Sequence, residues 1–220
     1  MSYSSEESSD EETQERSVIK IILLGQSGCG KTSIVMRWID NSFTENTATT
    51  IGAAFYLKNL MIDEKMISIR LWDTSGQERF KSLAPLYYRE AAGVILVLDI
   101  QDPLSFEKLE YWMNELRTNC NSLPIIGLAA NKYDLFTDQQ QQQEIFEKAT
   151  KFAKNINAQI FQTSAKTGEG VEEIFEYVAK SVVQKHSSHL RFKKNNKTGQ
   201  SRLVVGKTAQ KQVKKEGGCC

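Results

Sequence analysis

The segment Gly25-Gln26-Ser27-Gly28-Cys29-Gly30-Lys31-Thr32 fits the pattern G-x-x-x-x-G-K-[ST], whose chemistry is phosphate binding. Glycines let backbone N–H groups converge on phosphate oxygens, and a helix that follows adds the partial positive charge of its N-terminus. Lys31 can reach the β- and γ-phosphates, and the Thr32 hydroxyl can ligate Mg²⁺. Gln26, Ser27, Gly28, Cys29, Gly30, Lys31, Thr32 and Ser33 are thus candidate nucleotide contacts, and Lys31 is also a candidate catalytic group. A chance glycine-rich turn is the bland alternative. The rest of the chain argues against it by supplying the missing parts in order.

Asp73-Thr74-Ser75-Gly76-Gln77 is the next part. Asp73 can hold Mg²⁺ through water, the Gly76 N–H can face a γ-phosphate unobstructed, and Gln77 can orient an attacking water. Asn131-Lys132-Tyr133-Asp134 follows. The Asp134 carboxylate only accepts hydrogen bonds. Guanine offers it two adjacent donors, its ring N1–H and its exocyclic amine, whereas adenine has an acceptor at the matching ring position. The wrong base would leave a charged acceptor unpaired. Ser164-Ala165-Lys166 can support the base from the other side, with the Ala165 N–H donating to the guanine carbonyl.

These segments need elements to position them. Val18–Leu24 is a short apolar, β-rich run that reads as a buried strand before the glycine loop, and Ser33–Asn41 reads as the helix after it. Phe55–Ile62 and Met66–Trp72 read as strands joined by a turn at Asp63-Glu64-Lys65. Val94–Leu98, Ile125–Ala130 and the shorter Ile160-Phe161 read as further strands. Helical patterns cover Ser105–Asn119, preceded by Pro103, then Gln140–Asn155 and Val171–Gln184. The last repeats Val171, Ile174, Phe175, Val178 and Val182 on one face. Gln139–Gln143 reads as the exposed start of a helix. This alternation predicts an α/β fold, a three-layer α/β/α P-loop NTPase domain on a mostly parallel six-stranded sheet. Ligands of such sheets bind beyond the carboxyl ends of the strands, where all four motifs fall.

The chain has 220 residues and a net charge of +1. The domain is expected over 17–185, between an acidic, serine-rich tail (1–16) and a basic tail (186–220), both reading as disordered. No apolar run approaches the roughly 20 residues of a membrane helix, and the acidic start is no secretory signal. The four cysteines, Cys29, Cys120, Cys219 and Cys220, suggest neither a disulfide framework nor a zinc site, so a reducing cytosolic setting is expected.

With these motifs in hand, the chain resembles a small GTPase of the Ras superfamily and, within it, a Rab. The resemblance covers about 17–184 and the last two cysteines. Its Rab-like stretches are Ile51-Gly52-Ala53-Ala54-Phe55, Leu71–Phe80 and Ser82–Arg89, and the first and last are closest to the early-endosomal Rabs. The resemblance implies that Thr50 belongs to a first switch loop, binding Mg²⁺ through its hydroxyl and the γ-phosphate through its N–H. It implies that Phe43 packs edge-on against guanine, and that Phe55, Trp72 and Tyr87 form an aromatic surface that effectors read. It implies slow hydrolysis of GTP to GDP and phosphate, with Gln77 and Lys31 catalytic and Mg²⁺ as cofactor. No arginine stands where it could obviously assist in cis. The implied partners are an exchange factor, a GTPase-activating protein, effectors, a prenylation escort and a lipid-extracting carrier, with no nucleic acid and a monomeric G domain.

Three residues depart from the Rab pattern. Ser75 stands where alanine is usual, either perturbing the attacking water or pointing away. Glu90 replaces a common glycine. Cys29 lies near helix N-terminal N–H groups that could lower its pKa, or it is a small buried filler. The terminal Cys219-Cys220 resembles the doubly geranylgeranylated end of Rabs, no C-a-a-X box being present. Two lipids with a basic tail would hold the protein on the cytosolic face of intracellular membranes, endosomes or vesicles, with a carrier-bound cytosolic pool. Ser8 and Ser9, three residues before Glu11 and Glu12, are candidate acid-directed phosphorylation sites. A P-loop kinase or ATPase, and a permanently GTP-loaded scaffold, are the rival readings.

Overall fold

A central sheet of six strands carries the molecule, in the order β2-β3-β1-β4-β5-β6. The strands are β1 (Ser17–Gly25), β2 (Ala53–Ile62), β3 (Lys65–Thr74), β4 (Gly93–Asp99), β5 (Ile125–Asn131) and β6 (Gln159–Gln162). The helices are α1 (Lys31–Asp40), α2 (Ala84–Tyr88), α3 (Leu104–Asn119), α4 (Gln139–Asn155) and α5 (Val171–His186). This computed structural model describes residues 17–77, 79–80, 84–136 and 138–186.

All neighbouring strands pair in parallel except β2, which runs antiparallel to β3. That exception follows from the connection. Ile62 pairs with Lys65, so only Asp63 and Glu64 form the turn, with φ of 48° and 62°. Two residues of positive φ match the right-handed twist of the strands they join. The parallel pairs need helical crossovers, and the apolar runs of β1, β4 and β5 are buried on both faces.

Alternation along β1 divides the core. Ile21 and Leu23 join α1 and α5 through Ile34, Trp38, Phe175 and Val178. Ile22 and Leu24 join α3 and α4 through Leu109, Trp112, Leu116 and Ala149. The apolar stripe read on α5 is buried along its whole length. Trp38 stacks on Phe175 with ring centroids 3.9 Å apart, and the Lys58 ammonium lies 4.4 Å above the Trp38 ring. Removing a ring of this kind costs about 3–5 kcal/mol, so the clamp between α1 and α5 is a main support of the face behind the glycine loop.

The structure also refines the element limits. Helix α1 begins at Lys31, so Lys31 and Thr32 lie in its first turn. The glutamine run does open α4, with Asp138 capping it through the N–H groups of Gln140 and Gln141. The short α2 has no counterpart in the sequence reading.

Candidate guanine-nucleotide site

Beyond the carboxyl ends of β1, β3, β5 and β6 lies a cavity of about 430 Å³. One side is the β1–α1 loop, with Ser27, Gly28, Gly30, Lys31, Thr32 and Ser33 lining it. The loop turns at Gly28 and Gly30, with φ of 83° and 93°, in the left-handed region that favours glycine. At Gly30 space is also short, since a Cβ would sit 2.4 Å from Asn131 Nδ2. Lys31 is 5% exposed, and its ammonium donates to the carbonyls of Gly25 (3.0 Å) and Gln26 (2.8 Å). The loop backbone thus holds a cation beside the cavity.

Thr50 reaches the same place from the α1–β2 loop. Thr32 Oγ1 donates to Asp73 Oδ2 at 2.6 Å and lies 2.7 Å from Thr50 Oγ1, which is itself 3.4 Å from Asp73 Oδ2. Asp73 is fully buried at the end of β3, and its other oxygen, Oδ1, has no hydrogen-bond partner. Burial pushes this carboxyl above the usual carboxylate range, opposed by the Thr32 hydroxyl, the Lys31 charge and the Thr50 hydroxyl. Two hydroxyls around a buried carboxylate with an orphaned oxygen are a hard-oxygen donor set, which suits Mg²⁺. Gly76 follows on β3's exit. A Cβ there would lie 2.3 Å from Ser27 N and 2.4 Å from Gln26 C, so only glycine allows this backbone so near the phosphate loop.

The far side of the cavity is built from the β5 and β6 exits. Asn131 Nδ2 donates to Cys29 O at 2.8 Å, and its Oδ1 accepts from Ala165 N at 3.3 Å, so one side chain joins three loops. Lys132 takes φ of 64° and pairs with Asp99 Oδ2 at 2.5 Å. Ser164 Oγ donates to Asp134 Oδ1 at 2.6 Å, which orients that carboxylate. Phe43, Asn131, Lys132, Asp134, Ala165 and Lys166 all line the cavity.

Some predicted residues stand elsewhere. The Gln26 side chain turns to Asp102 Oδ2, 2.9 Å away. Gln77 accepts from Arg79 Nε at 2.6 Å and does not line the cavity. Cys29 is 1% exposed, and burial pushes its thiol up, so of its two readings the buried filler holds and the lowered pKa does not. Ser75 is 7% exposed, with its Oγ 3.3 Å from the Gln77 N–H. Phe55, Trp72 and Tyr87 meet on the surface of β2, β3 and α2, with centroids 5.4 and 5.8 Å apart. Cys219, Cys220, Ser8 and Ser9 lie outside the described residues. Among the described residues, no helix is long and apolar enough to cross a membrane. Arg37, Asp99 and Asp102 carry no motif signal, because their importance lies in contacts made far along the chain.

Comparison with known proteins agrees with this arrangement. Residues 20–184 match the Ras family. The chain is 36% identical to the human Ras-related protein Rab-21 over 206 residues, which is 91% of this chain and 90% of the relative. It is 36% identical to the Ras-like GTP-binding protein RYL2 of Yarrowia lipolytica, covering 91% and 97% of the two. It is 40% identical to Rab-18 of Caenorhabditis elegans, covering 80% and 85%. The chain therefore belongs to the Ras family, as a Rab-like small GTPase that binds GTP and GDP and hydrolyses GTP.

Proposed function

We propose that the protein is a slow GTP-driven switch that recruits effectors to the cytosolic face of vesicle or endosomal membranes, with the following residue roles. The observation that carries this is the joining of Thr50, Thr32 and Asp73 in one hydrogen-bonded group at the phosphate loop. It ties the segment before β2 to the residues around a γ-phosphate, as a nucleotide-sensing loop requires. The backbone N–H groups of 26–33 bind phosphates with Lys31. Thr32, Thr50 and Asp73 are the oxygens that would hold Mg²⁺, which when bound neutralises phosphate charge. Asp134, held by Ser164, takes the two guanine donors, and the Ala165 N–H takes the base carbonyl. Asn131 and Lys132 fix the loops around the base, and Phe43 covers its edge.

Gln77 orients the attacking water and Lys31 stabilises the developing phosphate charge. The Gln77 carboxamide must leave Arg79 to do so, which fits slow unaided turnover and acceleration of about 10³- to 10⁵-fold by an activating protein. Loss of the γ-phosphate releases Thr50 and Gly76, and both loops relax. The Phe55–Trp72–Tyr87 surface adjoins these loops and reports their state to effectors. An exchange factor restores GTP. Lipids on Cys219 and Cys220, added with an escort and shielded by a carrier, would anchor the basic tail 186–220, beyond the domain at 17–185.

The Ser75 Oγ lies 3.3 Å from the Gln77 nitrogen and Ser75 does not line the cavity, which supports reading it as a tolerated departure. Single-turnover GTP hydrolysis by the full chain tests this beside Ser75→Ala and Gln77→Leu. Wild type is expected within about threefold of Ser75→Ala, with Gln77→Leu about tenfold slower or more. Wild type as slow as Gln77→Leu, with turnover restored by Ser75→Ala, would instead make the protein a GTP-loaded scaffold.

A further inference from the structure

The turn from Ser164 to Gly170 closes on itself. Gly168 N donates to Ser164 O at 2.8 Å, Thr167 N to Ser164 Oγ at 3.1 Å, and Ser164 N to Glu169 O at 2.9 Å. Those bonds shape the turn but do not fix its attitude toward the cavity. Beside the ties to Asp134 and Asn131, Arg37 on α1 holds the turn from the helix side. Its Nε donates to Ala165 O at 2.9 Å and its Nη2 to Lys166 O at 2.7 Å. Its Nη1 donates to Asn41 O and Asn41 Oδ1, each at 2.9 Å, which anchors the guanidinium to the left-handed cap of α1.

Two donors of one planar fork thus grip two consecutive carbonyls. A fork fixes orientation as well as position, which a single ammonium cannot do. The Ala165 N–H lies in the Ser164–Ala165 peptide, which adjoins the Ala165–Lys166 peptide whose carbonyl Arg37 holds, so fixing that carbonyl narrows the directions the N–H can take. In this structure that N–H rests 3.3 Å from Asn131 Oδ1, a long bond beside the cavity that Ala165 itself lines. Helix α1 also carries Lys31 and Thr32 in its first turn, so Arg37 relates the base-contacting turn to the phosphate-contacting helix through one rigid element.

We propose that Arg37 is a positioning residue for guanine recognition: its fork holds the Ala165 and Lys166 carbonyls so that the Ala165 N–H meets the base carbonyl. This rests on the role given to Ala165 above. It predicts a base-selective defect rather than a general one. Two analogues separate the contacts. 6-Thioguanosine diphosphate keeps the N1–H and the amine but replaces the carbonyl oxygen with a larger, weaker acceptor. Inosine diphosphate keeps the carbonyl and N1–H but lacks the amine assigned to Asp134.

The experiment is competition of GDP and both analogues against a fluorescent GDP on the full chain, for wild type, Arg37→Ala and Arg37→Lys. Wild type is expected to prefer GDP over the thio analogue by about tenfold, the worth of one well-made buried hydrogen bond. In Arg37→Ala that preference is expected to fall to about threefold or less, while the preference for GDP over inosine diphosphate stays unchanged. Arg37→Lys, reaching one carbonyl, should lie between. Equal weakening of all three nucleotides in Arg37→Ala, with both ratios intact, overturns the proposal and makes Arg37 a packing residue. A wild type that binds GDP and the thio analogue equally overturns the role of Ala165 first, and the proposal with it. Because each readout is a ratio within one variant, a loss of overall stability does not mask the result.

Discussion

Removing the Asp99 carboxylate should loosen nucleotide binding by freeing Lys132, although Asp99 itself does not line the cavity. Lys132 Nζ and Asp99 Oδ2 are 2.5 Å apart, with side chains 33% and 12% exposed. The carboxylate is fixed from behind. Its Oδ1 accepts the Gln101 N–H at 3.0 Å, and its own backbone N–H donates to Ser105 Oγ at 2.8 Å. A charge-assisted hydrogen bond contributes about 1.5–3 kcal/mol. The lysine end is one-third exposed, so solvent screening moves the figure to about 1–2 kcal/mol. Lys132 also sits at φ of 64°, a conformation that costs a residue with a side chain about 1 kcal/mol and is abandoned readily once its tether goes. Asn131 and Asp134 flank it, so its movement is felt at the base. Asp99→Ala should therefore speed dissociation of a fluorescent GDP from the full chain by about 5- to 30-fold. Asp99→Asn, which keeps an acceptor without the charge, should fall between. An off-rate within twofold of wild type, with only the melting temperature lowered, would mean that the pair serves the fold and not the site.

Two further substitutions test the scaffold. Tyr88 is 1% exposed and donates to Glu115 Oε2 at 2.9 Å, which joins α2 to α3. Burial and the Glu115 contact raise its pKa far above the ordinary 10. The unfolded chain thus releases this proton near pH 10 while the folded one keeps it, and the resulting stability is intact below pH 10 and lost as pH rises above it. Thermal unfolding of wild type should fall more steeply above pH 10 than that of Tyr88→Phe, which should be less stable by about 1 kcal/mol at pH 7; parallel profiles would count against this. Glu90 holds φ of 62°, in the left-handed region that favours glycine, and Glu90→Gly should raise the melting temperature of the GDP-bound protein by about 1–2 °C. A fall would mean that the Glu90 attraction for Lys20 outweighs the backbone strain.

Which loops line the cavity was legible in the sequence, because the four motifs are local runs whose spacing has direct physical meaning. Strand and helix identity was legible where apolar periodicity is long, as in β4, β5 and α5. The limits are instructive. Helix α2 spans only Ala84–Tyr88, too few residues for a period to emerge, and Pro85 and two tyrosines give no helical bias. Arg37 reads as an ordinary helix residue, yet it serves carbonyls at 165 and 166. Asp99 lies just past the strand read over Val94–Leu98, yet it holds Lys132. Cys29 reads two ways until its burial is known. Such roles arise when the sheet brings distant strand ends together, and no local pattern encodes them.

The proposal that Asp134 and Ala165 read a guanine beside the phosphate loop turns on base selectivity. The decisive measurement is displacement of a bound fluorescent GDP from the full chain by GTP or ATP. GTP should displace it at near-stoichiometric concentration and ATP should fail at a roughly thousandfold excess, because adenine leaves the Asp134 carboxylate unpaired. Displacement by ATP at concentrations comparable to GTP would contradict it.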